Sequence, residues 1–158
     1  MLGALLTNND VFDSITRLIR AEHFYDPVHR RIFELCSERI VRNALASPVT
    51  IKAFMEQDAG LKELGGPAYL ARLAGAAVSS YAARDYARMI REFALRRELI
   101  ALGQEISARA ATVAIDDDAE DQIKTAEQTL YKLGEQGVAE RGFQSFLQAV
   151  TGAVETAN

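Results

Sequence analysis

The chain has little of several residue types that would mark particular protein classes. It has no Trp, three Pro and one Cys among 158 residues, so an internal disulfide is excluded. Cys36 lies one turn from Ile32 in an apolar helical stripe, which favours burial over reactivity. No run approaches the roughly 18 apolar residues of a membrane span, and no signal peptide opens the chain. We therefore expect a cytoplasmic protein without membrane association.

An excess of basic charge is also missing. The formal net charge is −4, whereas a domain that grips nucleic-acid phosphates usually presents a basic face. The imbalance is largest at the end of the chain, where residues 111–158 have three basic and nine acidic side chains. Little direct DNA binding is therefore expected.

The motifs of nucleotide and metal chemistry are absent from the sequence. There is no G-x-x-x-x-G-K-[ST] loop, no G-x-G-x-x-G after a strand and no Cys pair. His23 and His29 are six residues apart, unlike the i, i+4 pair that binds zinc. Four acidic residues match part of the spacing of an EF-hand calcium-binding loop. Asp121, however, occupies the position where that loop needs Gly, and helix capping explains the same acidic residues. These four are Asp116, Asp118, Glu120 and Glu127. The sequence predicts no catalytic, cofactor-binding or metal-binding residue.

Apolar periodicity is helical throughout, so an all-α fold is expected. Helix starts are predicted at Asn9 or Asp10, at Asp26-Pro27, at Thr50 after the Ser47-Pro48 break, and at Pro67 after Gly65-Gly66. Residues 1–7 lack a capping residue ahead of them and are interpreted as the end of a helix already under way. Together these short helices form a compact head over residues 1–80. The predicted core residues are Val11, Phe12, Ile15, Leu18, Ile19, Val28, Ile32, Phe33, Cys36, Ile40, Ile51, Phe54, Met55, Tyr69, Leu70 and Leu73.

Residues 81–136 differ in kind and predict a long antiparallel helical hairpin. An uninterrupted pattern over 81–110 makes a rod of roughly 45 Å, and the run Asp116-Asp117-Asp118 caps a second arm. The second arm has a 3-4-3 apolar seam typical of coiled coils. Because one facing arm covers such seams only in part, we expect a second chain to cover the rest. The predicted interface residues are Tyr86, Ile90, Phe93, Ile100, Ile123, Ala126, Leu130 and Leu133.

Residues 137–158 predict a linker followed by a docking helix. Gly137 and Gly142 bracket a segment without apolar periodicity, and Ser145 caps an amphipathic helix over 145–157. Its apolar side has no partner nearby in the sequence, which is typical of a helix that docks on another subunit. The residues predicted to dock are Phe146, Leu147, Val150 and Val154.

Two functional classes other than an interaction module have some support in the sequence or need to be excluded by it. The row Arg84–Arg97 could contact phosphates, which would make the chain a small helical nucleic-acid-binding module. A solvated or interfacial row interleaved with Asp85 and Glu92 explains the same pattern. A metal-dependent hydrolase would need a His or carboxylate cluster, which the sequence does not offer.

Several short motifs, in this order, resemble the N-terminal domain of DnaB-type replicative DNA helicases over essentially the whole chain. They are Leu2-Gly3-Ala4-Leu5-Leu6; Phe24-Tyr25 with His29, Ile32 and Phe33; Gly65-Gly66 with Tyr69-Leu70 and Leu73; and Tyr86-Ala87 with Ile90, followed by Arg96-Arg97-x-Leu99-Ile100. Each motif is weak alone, but their common order and separations are specific. The family pattern begins upstream of Met1, and the ATPase domain that should follow Asn158 is missing. The chain is therefore expected to be a piece of a longer helicase, with a shortened stand-alone relative as the alternative.

The resemblance implies an assembly role and a set of partners. In that family, heads and hairpins pair into a six-chain collar, a trimer of dimers, stacked on a ring of RecA-like ATPase domains. The collar receives the helicase-binding domain of primase, for which Tyr86, Ile106 and Ile115 are the candidates here. The helix after the hairpin docks on the RecA-like domain of a neighbouring subunit. The full-length protein is an ATP-dependent 5′–3′ DNA helicase, whose ATP and Mg²⁺ would belong to the missing domain.

We expect this chain to show no saturable binding of ATP, because it has no phosphate-cradling loop. A titration with a fluorescent ATP analogue, with a P-loop ATPase as positive control, measures this directly. Saturable binding at micromolar protein would contradict the expectation.

Overall fold

The computed structural model describes residues 1–112 and 118–135, and over these ranges the chain forms helices, turns and loops with no strand. This confirms the all-α prediction. The helices are α1 (Leu2–Thr7), α2 (Val11–Ile15), α3 (Pro27–Val41), α4 (Pro48–Met55), α5 (Ala59–Glu63), α6 (Pro67–Gly75), α7 (Ser80–Ala110) and α8 (119–135), with a 3-10 turn at Ala21–His23.

The chain divides into two compact units, the first covering Met1–Ala94 and the second beginning at Leu95. The sequence placed the end of the head at residue 80, whereas the structure includes the first half of α7 in the first unit. The reason is that Ala83, Ala87 and Ile90 join or pack against the head core. The predicted linker and docking helix over 137–158 lie outside the described residues.

The Pro-containing helix starts confirm the capping argument in one case and correct it in another. The Asp26 carboxylate accepts hydrogen bonds from the backbone N–H of Val28 at 2.7 Å and of His29 at 3.3 Å, with Pro27 in the first helical position. At α4 the predicted cap Thr50 is wrong. Ser47 is the cap, because its extended backbone lets its hydroxyl accept from the Thr50 N–H, while the Thr50 hydroxyl accepts from the Ser47 N–H.

Two further caps differ from the prediction. Neither Asn9 nor Asp10 caps α2 through its side chain. The Asn9 amide instead donates to the carbonyl oxygens of Leu5 and Ala46 and accepts from the Ala46 N–H. Helix α5, capped by the Asp58 carboxylate, was not predicted, because five residues are too short to show an apolar period.

The turn between α5 and α6 has the backbone that Gly65-Gly66 predicts. Both glycines have positive φ, 101° and 63°. The Gly66 N–H donates to the Leu61 carbonyl at 2.7 Å and the Gly65 N–H to the Lys62 carbonyl at 3.1 Å, which closes α5 as a Schellman motif. Pro67 then starts α6.

In the second unit, the Asp118 carboxylate accepts a hydrogen bond from the Asp121 N–H at 2.8 Å, which confirms Asp118 as the cap of α8.

The head core contains most of the residues that the periodicity selected. Phe54 is the clear exception, because 57% of it is exposed, and Ile40, Tyr69 and Leu73 are only partly buried at the edge of the core. Cys36 is fully buried, and burial raises the pKa of its thiol to about 12, so it stays protonated near neutral pH. The largest fully buried side chains are Leu5, Ile15, Ile19, Ile32, Ile51, Met55, Leu61 and Leu70.

Helices α1 and α6 touch backbone to backbone at Gly3. A Cβ atom added there would overlap the Leu73 carbonyl oxygen and would lie 3.3 Å from the Ala77 Cα. Main-chain atoms cannot swing aside as a flexible side chain can, so any larger residue would push the two helices apart. The glycine therefore sets the spacing of this helix pair.

We expect Gly3→Ala to lower the free energy of unfolding by about 1–3 kcal/mol or more, because it overpacks a backbone contact. Urea unfolding followed by circular dichroism measures the change. Gly75→Ala is the matched control, since a Cβ at Gly75 meets nothing within 4 Å. The control should stay within about 0.5 kcal/mol of the parent. Equal stabilities for the two variants would show that the α1–α6 contact is not tight.

Candidate protein-interaction face

The first half of α7 lies on the head through small side chains. Ala83 and Ala87 are fully buried, Ala94 is nearly so, and Ile90 packs against the core from the same side. Their spacings of four, three and four residues place them on one face of the helix. Because alanine side chains are small, the backbone of α7 lies close to the head. This face of the helix is therefore part of the head core and not of the surface.

The side of this half of α7 next to the buried face presents three large apolar side chains, which we call the α7 stripe. Tyr86 is 45% exposed, Met89 51% and Phe93 53%. Their spacings of three and four residues align them along the helix. An aligned row of large, half-exposed apolar side chains is typical of a surface that another protein covers.

The structure separates residues that the sequence had grouped together. Tyr86 and Phe93 lie in the α7 stripe, but Ile90 packs against the head core instead. Met89 was missed, although it is three residues after Tyr86 and four before Phe93. Helical spacing alone fits Met89 and Ile90 equally well. The buried alanines at 83 and 87 distinguish them, because Ile90 continues their face.

The second unit also presents apolar side chains. Of the predicted interface residues here, Ile100, Ile123 and Leu130 are largely exposed, while Ala126 and Leu133 are half-buried. Ile106, a predicted primase contact, is 40% exposed. Leu99 and Tyr131 are exposed as well but were not among the predicted interface residues, and Leu102 is buried. Outside the described residues lie Ile115, Phe146, Leu147, Val150 and Val154.

His29 has a structural role in the head. Its Nε2 atom and the Tyr69 hydroxyl are 2.6 Å apart, which joins α3 to α6, and the two rings stack with centroids 6.0 Å apart. The Arg72 guanidinium lies 5.3 Å from the centroid of the Tyr69 ring and donates to the Leu64 carbonyl at 2.7 Å. Partial burial, followed by the nearby Asp26 charge, raises the pKa of the Tyr69 hydroxyl. The histidine therefore connects two helices of the head.

Several arginines of the basic row Arg84–Arg97 interact within the chain. Arg88 pairs with Asp85 at 3.2 Å, with both side chains about half exposed. Burial, followed by the nearby Arg20 charge, lowers the pKa of Arg91. Arg91, Arg96 and Arg97 each take part in interactions of the structure. The Arg88–Asp85 pair is one of the interleaved charges on which the solvated interpretation of the row depends.

The described residues contain no group of three or more His, Cys, Asp or Glu side chains that could hold a metal ion. Among the helices over the same ranges, none is long and apolar enough to cross a membrane.

The described residues are thus helical in both units and expose several large apolar side chains. The chain belongs to the DnaB-like helicase N-terminal domain family, whose model matches residues 1–92. This confirms the family resemblance drawn from the sequence motifs.

Individual relatives support the assignment. The replicative DNA helicase DnaB of Rickettsia prowazekii is 34% identical over 143 residues, which cover 90% of this chain and 29% of that protein. The homologue from Mycobacterium leprae is 25% identical over 135 residues, which cover 85% of this chain and 22% of that protein. The chain therefore spans less than a third of the length of these relatives.

A solved structure confirms the fold. The crystal structure of the N-terminal domain of DnaB helicase from Mycobacterium tuberculosis matches with a TM-score of 0.74 and 25% sequence identity. The match covers 83% of this chain and 91% of that chain. The helical architecture is therefore that of a DnaB N-terminal domain.

We expect Ala87→Leu to lower the free energy of unfolding by about 1–3 kcal/mol, because three carbons must enter a filled site between α7 and the head. Met89→Leu, two residues away in the exposed α7 stripe, is the control and should change it by less than about 0.5 kcal/mol. Urea unfolding at the lowest workable protein concentration keeps self-association out of the comparison. Similar losses in both variants would mean that the two faces of α7 are assigned wrongly.

Proposed function

We propose that this chain is the assembly domain of a hexameric replicative DNA helicase. It self-associates into the collar, offers the docking surface for primase and couples the collar to the motor ring during DNA replication in the cytoplasm. The single observation that supports self-association best is the α7 stripe, three large apolar side chains half-exposed along one helix face. Membership of the DnaB-like helicase N-terminal domain family supports the assembly role.

The stripe has the chemistry of a self-complementary contact. In a two-fold symmetric pair the same patch meets itself, so an interface rich in apolar and aromatic side chains and poor in charge avoids repulsion. Tyr86, Met89 and Phe93 meet that requirement. In the second unit Ile123 and Leu130 offer further exposed apolar surface. Dimers made through these faces would join into a hexamer, the trimer of dimers of the family.

The proposed primase contact uses apolar side chains of the same long helix. Tyr86 and Ile106 are both exposed by 40% or more. Aromatic and aliphatic side chains that enter a partner's pocket provide most of the binding energy in many interfaces. The helicase-binding domain of primase is the partner that the family implies. Ile115, the third candidate, belongs to the same proposal from the sequence alone.

Coupling to the motor is assigned to the predicted docking helix over 145–157. Its apolar side, with Phe146 and Val150, would pack on the RecA-like domain of a neighbouring subunit. Such a short helix is marginal alone in water and gains stability from the surface it docks on. ATP and Mg²⁺ would bind the RecA-like domains, which drive 5′–3′ movement along DNA, and this chain would supply assembly rather than catalysis.

We expect Phe93→Asp and Leu130→Lys each to reduce the molar mass of the assembly in solution, because each places a charge into an apolar interface. Light scattering over a range of protein concentrations measures this. Gln104→Asp and Gln128→Lys are the matched controls, since they add the same charges at exposed polar positions of α7 and α8.

The controls should keep the molar mass of the parent chain, and circular dichroism should show that all four variants are folded. If the two apolar variants also keep that mass at every concentration, the faces that contain Phe93 and Leu130 are not interfaces. The assembly proposal would then lose its main support.

A further inference from the structure

Sulfur-containing side chains are few in this chain, and one of them is exposed. The sequence has three Met and one Cys, all within the described residues. Met55 is 1% exposed and Met1 is partly buried against the head core, whereas Met89 is 51% exposed. Oxidants dissolved in water reach an exposed thioether more easily than a buried one. Met89 is therefore the sulfur-containing side chain most open to them.

The thiol of Cys36 does not compete with Met89 for oxidants. Its side chain is fully buried, and burial raises the pKa of the thiol to about 12. The thiolate and not the thiol is the reactive form, and this thiol stays protonated near neutral pH. Oxidation of the folded chain should therefore take place first at Met89.

Met89 lies in the middle of the α7 stripe. It follows Tyr86 by three residues and precedes Phe93 by four, so the three side chains share one side of the helix. Tyr86 is 45% exposed and Phe93 53%. Methionine and aromatic side chains are enriched where one protein covers another. A chemical change at the Met89 sulfur therefore acts at the centre of the surface proposed for self-association.

Oxidation replaces the apolar thioether of methionine by a polar sulfoxide. Hydrogen peroxide transfers one oxygen atom to the sulfur, so that its O–O bond breaks, an S–O bond forms and water leaves. The sulfoxide oxygen accepts hydrogen bonds from water, and its burial in an apolar interface costs free energy. Methionine sulfoxide reductases reverse the step with a dithiol, which becomes a disulfide as the oxygen leaves as water.

We propose that Met89 is an oxidative modification site, and that its conversion to the sulfoxide by a peroxide weakens the contact between copies of this chain. The inference rests on the proposed self-association through the α7 stripe. In an assembled pair the second copy would cover Met89, so oxidation takes place on dissociated chains and hinders their return to the assembly. The modification would thus link the level of peroxide to the amount of assembled protein.

Peptide mass spectrometry after treatment of the folded chain with hydrogen peroxide tests the site. We expect Met89 to gain one oxygen atom at least about tenfold faster than Met55, because exposure controls the rate. The rate at Met89 should fall as the protein concentration rises, since assembly covers the stripe. Equal rates at Met89 and Met55, in a chain that circular dichroism shows to be folded, would overturn the proposal. A Met89 rate that stays constant while the molar mass rises would overturn it too.

Light scattering of the oxidised chain tests the consequence. The dissociation constant of the assembly should rise about tenfold, which corresponds to about 1.4 kcal/mol, and methionine sulfoxide reductases with dithiothreitol should restore it. Met89→Leu is the matched control, because leucine keeps the apolar surface and has no sulfur. Its molar mass should be the same with and without peroxide. Met89→Gln, which places a polar side chain at the same position, should weaken association without peroxide.

The possible negative results are distinguishable. If Phe93→Asp lowers the molar mass but the oxidised chain keeps that of the parent, the self-association proposal stands and the role of Met89 is wrong. If neither change lowers the molar mass, the stripe is not an interface and both proposals fail. A loss of molar mass in peroxide-treated Met89→Leu equal to that of the parent would place the effect at another residue and overturn the assignment to Met89.

Discussion

The rest of the head depends on the close approach of α1 and α6 at Gly3, where the absence of a side chain lets one backbone lie against the other. With α6 at this spacing, Leu70 is fully buried in the core and the Tyr69 hydroxyl meets His29 of α3. A larger residue at position 3 would displace α6 and disturb both contacts. One missing Cβ thus fixes how the first, third and sixth helices share a core.

Small residues determine the outer face of the domain in a similar way. Ala83 and Ala87 bring α7 against the head and turn Ile90 inward, which leaves Tyr86, Met89 and Phe93 outward. The surface proposed for assembly is therefore a consequence of how the helix packs. A mutation in the buried alanines would change the fold first, whereas a mutation in the stripe would change association first.

The α7 stripe is apolar and aromatic, which suits contact with an identical copy. The salt dependence of such a contact should be small, because screening weakens interactions between charges and not those between apolar side chains.

The sequence by itself determined the all-α class, the family, the start of α3 at Asp26-Pro27 and the long helix α7, because each depends on signals within a few residues of chain. Only the tertiary structure decided that Ile90 turns inward and Phe54 outward, since periodicity defines a face without saying what covers it. It also decided the role of Asn9, which looks like a helix cap locally but binds Ala46, 37 residues along the chain. Such contacts leave no local pattern, because the residues that make them meet only after the chain has folded.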